Sequence, residues 1–249
     1  MQQFRQGGLN SLPMVVKNLL IINVLFFLGT YALGYAYKID LADYLGLHFP
    51  TSRSFGAWQI VSYMFMHGGI WHIAFNMYAL VLFGKVVESV WGPKRFLNYY
   101  LVTGIGAALF QLLVTFIKIK VLTSGVSPEI LDTIYSEGFD ILLQGKNYTD
   151  PTLSLLNRDL FLLVNATTVG ASGAIFGLLL AFGMMFPDAQ LMLIFPPIPI
   201  KGKYIAILAL VLGVVLDFQG NTAHFAHLGG MVFGYLLILY WKKKGTLYS

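Results

Sequence analysis

The sequence predicts an all-α fold, a polytopic membrane protein with six transmembrane helices, and three observations predict it. Hydrophobic residues make up 57% of the 249 and charged residues only 11%, where a soluble domain carries about a quarter charged. Mean hydropathy is +0.71. The apolar residues gather into runs long enough to cross a bilayer, and the basic residues flank those runs instead of lining one stripe interleaved with aromatics. The net charge of +5 therefore reads as a set of topology determinants and not as a nucleic-acid surface. The absence of cysteine excludes disulfides and thiol chemistry and leaves the redox compartment open.

After a polar, mildly basic start with Arg5 and Lys17, the first span runs from about Leu19 to Tyr37. Ala32-Leu33-Gly34 faintly resembles a signal-peptidase site, but the run exceeds the about 7–15 residues of a signal core, so a retained helix is expected. Residues 38–69 mix charges, aromatics and turn formers (Lys38, Asp40, Asp43, Pro50, Arg53) and suit a loop lying in the membrane interface, with Ala57 to Met66 partly buried. The second span covers about Ile70 to Val87. A turn at Trp91-Gly92-Pro93, with Lys94 and Arg95, leads into the third, Phe96 to Ile117.

Residues 118–168 hold four basic and six acidic residues. Short apolar pieces at Ile130–Tyr135, Phe139–Leu143 and Leu160–Val164 point to small surface helices, since Pro and Ser are too sparse for a disordered tract. Asn147-Tyr148-Thr149 and Asn165-Ala166-Thr167 match the glycosylation pattern, a signal too short to carry weight. The fourth span is Val169 to Phe186. Pro196, Pro197 and Pro199 deny Leu191–Ile200 a regular helix and suggest a re-entrant or interfacial loop. A short fifth span covers about Tyr204 to Leu216, and a sixth Phe225 to Trp241 before Lys242, Lys243 and Lys244. With no long internal repeat and no second domain, residues 1–249 read as one membrane domain, its core about 14–242 and an extramembrane insert at about 118–168.

Orientation follows from the basic residues. With both termini cytoplasmic, the inner segments hold Arg5, Lys17, Lys85, Lys94, Arg95, Lys201, Lys203 and Lys242 to Lys244, ten of the sixteen Lys and Arg. The outer segments hold six although they are longer, so the positive-inside rule favours both ends inside.

Six spans make the second, fourth and sixth run in one direction, so their first turns lie at the same membrane face. His72 and Asn76, Ser172, and His227 occupy those turns. At about 1.5 Å per residue Ser172 is expected roughly 5 Å, and Asn76 roughly 9 Å, inside its helix start. Polar side chains in spans are costly and mark function by default. His72 and Asn76, at i and i+4, share a helix face and can aim hydrogen bonds at one point. His227, Gly230 and Gly234 follow i, i+3, i+7, which puts the histidine on a face narrow enough for a neighbouring helix bearing Gly173 and Gly177 to approach.

A serine beside a neutral histidine is the minimum for nucleophilic catalysis, since the histidine takes the hydroxyl proton and returns it to the leaving group. The Ser172 backbone N–H, His72 and Asn76 can serve the oxyanion. No acid stands where it would obviously orient His227, so a dyad is expected, with Asp217, the nearest in sequence, as the candidate third member. Taken alone, Gly170-Ala171-Ser172-Gly173 reads more readily as a helix-packing stretch, and a lone histidine as one satisfied by a carbonyl. Four such residues at one depth are harder to read that way. His224 is the competing base, turned about 80–120° from the glycine face, and His67 belongs to the interfacial loop. Phe176, at i+4 from Ser172, either stacks on His227 or packs as an ordinary apolar residue.

These residues resemble the rhomboid family of intramembrane serine proteases. Gly170-Ala171-Ser172-Gly173 is similar to its nucleophile motif on the fourth helix, Ala226-His227 with Gly230 and Gly234 to its Ala-His-x-x-Gly-x-x-x-Gly motif on the sixth, and His72 with Asn76 to the pair on its second. Glu88, Trp91-Gly92 and Arg95-Phe96 resemble its short cytoplasmic turn. The resemblance implies a rhomboid-like bundle, Ser172 as nucleophile, His227 as base, an oxyanion role for His72 and Asn76, and no metal or cofactor. It also implies single-span membrane protein substrates cut in or near the lipid bilayer, with the fifth helix and the loop before the sixth gating entry, and a bacterial inner membrane location. The long insert before the fourth span, and Phe176 where some members carry tyrosine, depart from the pattern.

Two other classes compete. A non-catalytic relative that escorts membrane helices would lack the nucleophile and base, both present here. A small transporter would set polar residues near the midplane of several helices, whereas here they cluster at one face. An α/β-hydrolase is excluded, because Ala174 stands where Gly-x-Ser-x-Gly needs glycine and no alternation of strand and helix surrounds it.

Overall fold

The computed structural model describes residues 11–192, 197–216 and 224–246. Arg5, Pro196 and the candidate third member Asp217 lie outside the described residues. The first helix, α1 (Met14–Tyr37), starts earlier than its apolar run suggests because a distant carboxylate caps it. Buried Glu88 accepts from the Val15 N–H at 2.9 Å and the Val16 N–H at 2.8 Å, an anion on the positive end of a helix dipole. The helix stops at Lys38, whose left-handed conformation returns its N–H to Gly34 O.

The interfacial loop contains α2 (Leu41–Leu45), capped by the Asp40 side chain on the Ala42 N–H, and α3 (Gln59–Ser62), continued by a 3₁₀ turn over Tyr63–Phe65. Its inner part is fully buried at Gln59, Tyr63 and Met64. Gln59 replaces solvent for the loop: its Oε1 accepts from the His48 N–H and its Nε2 donates to Tyr44 O and Ser54 O.

The second and third spans run continuously as α4 (Ile70–Ala79), a π turn over Leu80–Gly84, and α5 (Lys85–Leu122). Within α5 the chain folds back at Gly92, whose φ of 75° only glycine adopts freely, followed by Pro93. From Pro93 to Leu122 α5 is roughly 45 Å long at about 1.5 Å per residue, against about 30 Å of bilayer hydrocarbon. It therefore exceeds the hydrocarbon thickness by roughly 15 Å.

The insert is built on the Leu122 end of α5. It contains α6 (Pro128–Thr133), a π turn over Ile134–Gly138, α7 (Phe139–Leu143) and α8 (Pro151–Asn165). Ser127 and Asp150 cap α6 and α8, each followed by a proline at the first helical position. Ile134, Leu160 and Val164 form a second apolar core with Ile119 and Leu122 of α5 and Phe49 of the interfacial loop. Arg53 grips Asp140 through both guanidinium nitrogens, at 2.8 and 3.2 Å, and Ser52 Oγ donates to Asn165 Oδ1. The separate surface helices expected from the sequence are thus one folded unit docked on the loop, and α8 is longer than its apolar piece suggests.

Helices α9 (Ser172–Met185) and α11 (His224–Lys243) pack with α5 at the centre of the molecule. Nearly every residue of α9 from Gly173 to Gly183 is buried, as befits a helix apolar all round. Between them the chain forms an antiparallel hairpin, β1 (Gln190–Met192) with β2 (Pro199–Lys201), Leu191 opposite Ile200, and then α10 (Ile205–Leu216). The described residues of Leu191–Ile200 form no regular helix, and residues 193–196 lie outside the described ones; Pro199, which cannot donate, sits at the end of the ladder. Among the described residues, Met14–Tyr37, Ile70–Leu122 and His224–Lys243 are long and apolar enough to cross a membrane, the second being folded at Gly92, and Ser172–Met185 is a shorter apolar helix. The architecture is a polytopic helical membrane fold.

Candidate active site

Ser172 is the first residue of α9, not a turn inside it as the sequence suggests. The chain cannot continue the helix backward because Gly170 holds φ at +126°, a region closed to side chains, and gives its N–H to Tyr63 O at 2.9 Å. The Ser172 hydroxyl consequently stands among the unpaired N–H groups of the helix start.

His227 lies in the first turn of α11, buried, with Nε2 2.8 Å from Ser172 Oγ. That is hydrogen-bonding distance, at which an unprotonated Nε2 can accept from the hydroxyl. The close approach comes from glycines. A β-carbon on Gly230 would run into the Gly173 carbonyl, and one on Gly173 would meet Ala107 of α5. The Phe176 ring stacks on the imidazole at 4.2 Å between centroids and 12° between planes, which fixes the ring's plane. His224 stands 6.1 Å from His227, ring to ring; His227, not His224, meets the hydroxyl. Among the described residues nothing hydrogen-bonds His227 Nδ1.

His72 faces the serine from α4. Its Nδ1 accepts from the Gly68 N–H at 3.4 Å, which leaves the proton on Nε2. A β-carbon on Gly170 would fall 2.7 Å from His72 Nε2 and 3.5 Å from Ser172 Oγ, so imidazole and hydroxyl flank the same backbone carbon. Asn76, buried one turn further along α4, donates through Nδ2 to His72 O at 2.9 Å and keeps a second N–H. His67 lies edge-on to His72 at 5.0 Å; burial, reinforced by His72, lowers its pKa to about 4, so it stays neutral. Gly234 packs on Tyr99, whose hydroxyl donates to Gly177 O at 2.8 Å and ties α5 to α9. Among the described residues no three His, Cys, Asp or Glu side chains group to hold a metal ion.

The structure thus brings Ser172, His227, His72 and Phe176 together, with Asn76 hydrogen-bonded to the His72 carbonyl. Sequence reasoning missed Tyr63, whose carbonyl sets Gly170 and whose hydroxyl donates to Gly104 O at 2.6 Å. No local signal marks it, because both partners, Gly104 of α5 and Gly170 of the segment before α9, lie far along the chain.

A helical membrane bundle with a hydroxyl and an imidazole in contact at two helix starts is the class this fold and site define. The Rhomboid domain family model matches residues 54–136 and 138–244. The chain is 28% identical over 189 residues to Rhomboid protein 1, mitochondrial, of Saccharomyces cerevisiae, covering 74% of this chain and 42% of that protein. It is 27% identical over 214 residues to RHOMBOID-like protein 5 of Arabidopsis thaliana (78% and 52%). To Rhomboid protease AarA of Providencia stuartii it is 27% identical over 192 residues (72% and 54%). This chain spans about half the length of those relatives. It belongs to the rhomboid family.

Proposed function

We propose that this protein is an intramembrane serine protease that cuts single-span membrane proteins at or near the outer face of the bilayer through a Ser172–His227 dyad. The observation that carries the reading is the 2.8 Å approach of His227 Nε2 to Ser172 Oγ across two helices. The family membership, and the protease activity for which the Providencia relative is named, support it.

His227 Nε2 takes the Ser172 proton as Oγ attacks the scissile carbonyl carbon. Charge that develops on the carbonyl oxygen is met by the Ser172 N–H, His72 Nε2–H and the second N–H of Asn76, all fixed before substrate arrives. As the C–N bond breaks, His227 passes its proton to the departing amine, leaving an acyl ester on Ser172. Water, deprotonated by the same nitrogen, then attacks that ester and releases the acid. Phe176 keeps the imidazole plane in place throughout.

Six crossings put all these groups beneath one face, and the distribution of Lys and Arg makes it the outer one, with both termini inside a bacterial inner membrane. The test is cleavage of a single-span substrate in proteoliposomes. Ser172→Ala and His227→Ala are each expected to abolish it while the protein stays folded, and a fluorophosphonate is expected to label wild type and not Ser172→Ala. Full activity in Ser172→Ala would end the proposal.

A further inference from the structure

Six residues, 166–171, link the insert to the nucleophile, and the interfacial loop holds them like the edge of a sheet. Leu47 and Thr168 exchange two backbone hydrogen bonds at 2.9 Å each. One residue to either side, the His48 ring, only 4% exposed, reaches across to the Thr167 side chain. His48 Nδ1 lies 3.1 Å from Gly46 O. A carbonyl can only accept, so Nδ1 carries the proton and bare Nε2 accepts from Thr167 Oγ1 at 2.9 Å. The His48 backbone N–H is itself fixed by Gln59 Oε1 at 3.1 Å. This relay, Gly46 carbonyl to imidazole to hydroxyl, is the side-chain clamp on a segment that three residues later adopts the positive φ of Gly170 and five residues later presents Ser172.

We propose that His48 and Thr167 are positioning residues: they fix the register of the 166–171 segment and hence the distance from Ser172 Oγ to His227 and His72. The proposal rests on Ser172 being the nucleophile. Neither side chain hydrogen-bonds Ser172 or His227; each is bonded within the loop and the segment it holds. Their effect is on turnover, because a shift of about 1 Å in reacting groups lowers rate by about a hundredfold while the substrate-binding face is left alone.

The test uses the full chain in proteoliposomes. Thr167 is exposed apart from this bond, so Thr167→Val removes the hydroxyl without disturbing a core. It is expected to lower kcat about tenfold with KM unchanged and to slow fluorophosphonate labelling of Ser172 by a like factor. Thr167→Ser restores both rates. His48→Ala produces the same loss, and the double variant is no worse than either single one. Labelling of Thr167→Val at the wild-type rate, or losses that multiply in the double variant, would overturn the positioning role. Wild-type protein that does not label at all would overturn the nucleophile assignment first, and this inference with it.

Discussion

Replacing Gly230 by alanine should pull the two halves of the proposed dyad apart, by an amount the helix contact sets. A β-carbon there would overlap the Gly173 carbonyl oxygen, lying 2.7 Å from the carbonyl carbon and 3.3 Å from Cα. Ordinary carbon contacts are about 3.5–4.0 Å, so α11 and α9 must part by about 1 Å, and both obstacles are backbone that cannot swing aside. His227 is one turn from Gly230, and Ser172 is bonded to Gly173. The opening therefore falls on the Nε2–Oγ pair and takes it from 2.8 Å to about 4 Å, past hydrogen-bonding reach. A loss of about a hundredfold in rate follows, together with an overpacking cost of about 1–3 kcal/mol in stability. Fluorophosphonate labelling and proteoliposome cleavage measure the rate, and thermal unfolding in detergent the stability. A Gly230→Ala protein that labels and cleaves like wild type would refute the contact as the determinant of the dyad.

Other expectations follow from single contacts. Asn76→Ala removes a proposed oxyanion donor and should lower kcat by about 10²–10³ with labelling of Ser172 still detectable; wild-type kcat would remove it from the oxyanion site. Glu88→Gln replaces a carboxylate that caps α1 through Val15 and Val16, and a cost of about 1–3 kcal/mol should appear as a lower Tm. The Arg53 side-chain hydrogen bond, with its charge, holds the Asp140 carboxyl below the usual aspartate value. Its contribution to docking of the insert is therefore present above the ordinary aspartate pKa and fades as pH falls through the lowered one. NMR titration should find that depression lost in Arg53→Ala.

The helical membrane fold was legible because bilayer thickness writes itself into the length of apolar runs, and the approach of Ser172 to His227 was legible because polar residues stand in the first turns of apolar helices. Where each helix begins was less so. α1 starts at Met14 because Glu88, far along the chain, supplies a cap, and α9 starts at Ser172 because Gly170 takes a backbone angle that residue type permits but does not require. The π turn at Leu80–Gly84 leaves no compositional mark. The insert reads as polar surface because its core borrows Ile119, Leu122 and Phe49 from elsewhere in the chain; amphipathic pieces with no visible partner look like separate surface helices. Tyr63 and His48 were invisible for a like reason, the His48 contact lying 119 residues away in sequence.

The length of α5 beyond its fold at Gly92 has a practical consequence. It carries the second apolar core, with α6–α8 around it, on one continuous helix, and Arg53 and Ser52 tie that body to the interfacial loop. An antibody fragment selected against α6–α8 would have a rigid epitope that leaves the helices around Ser172 untouched. Such a fragment would supply the added mass and fixed outline that single-particle imaging of a 27.7 kDa membrane protein otherwise lacks.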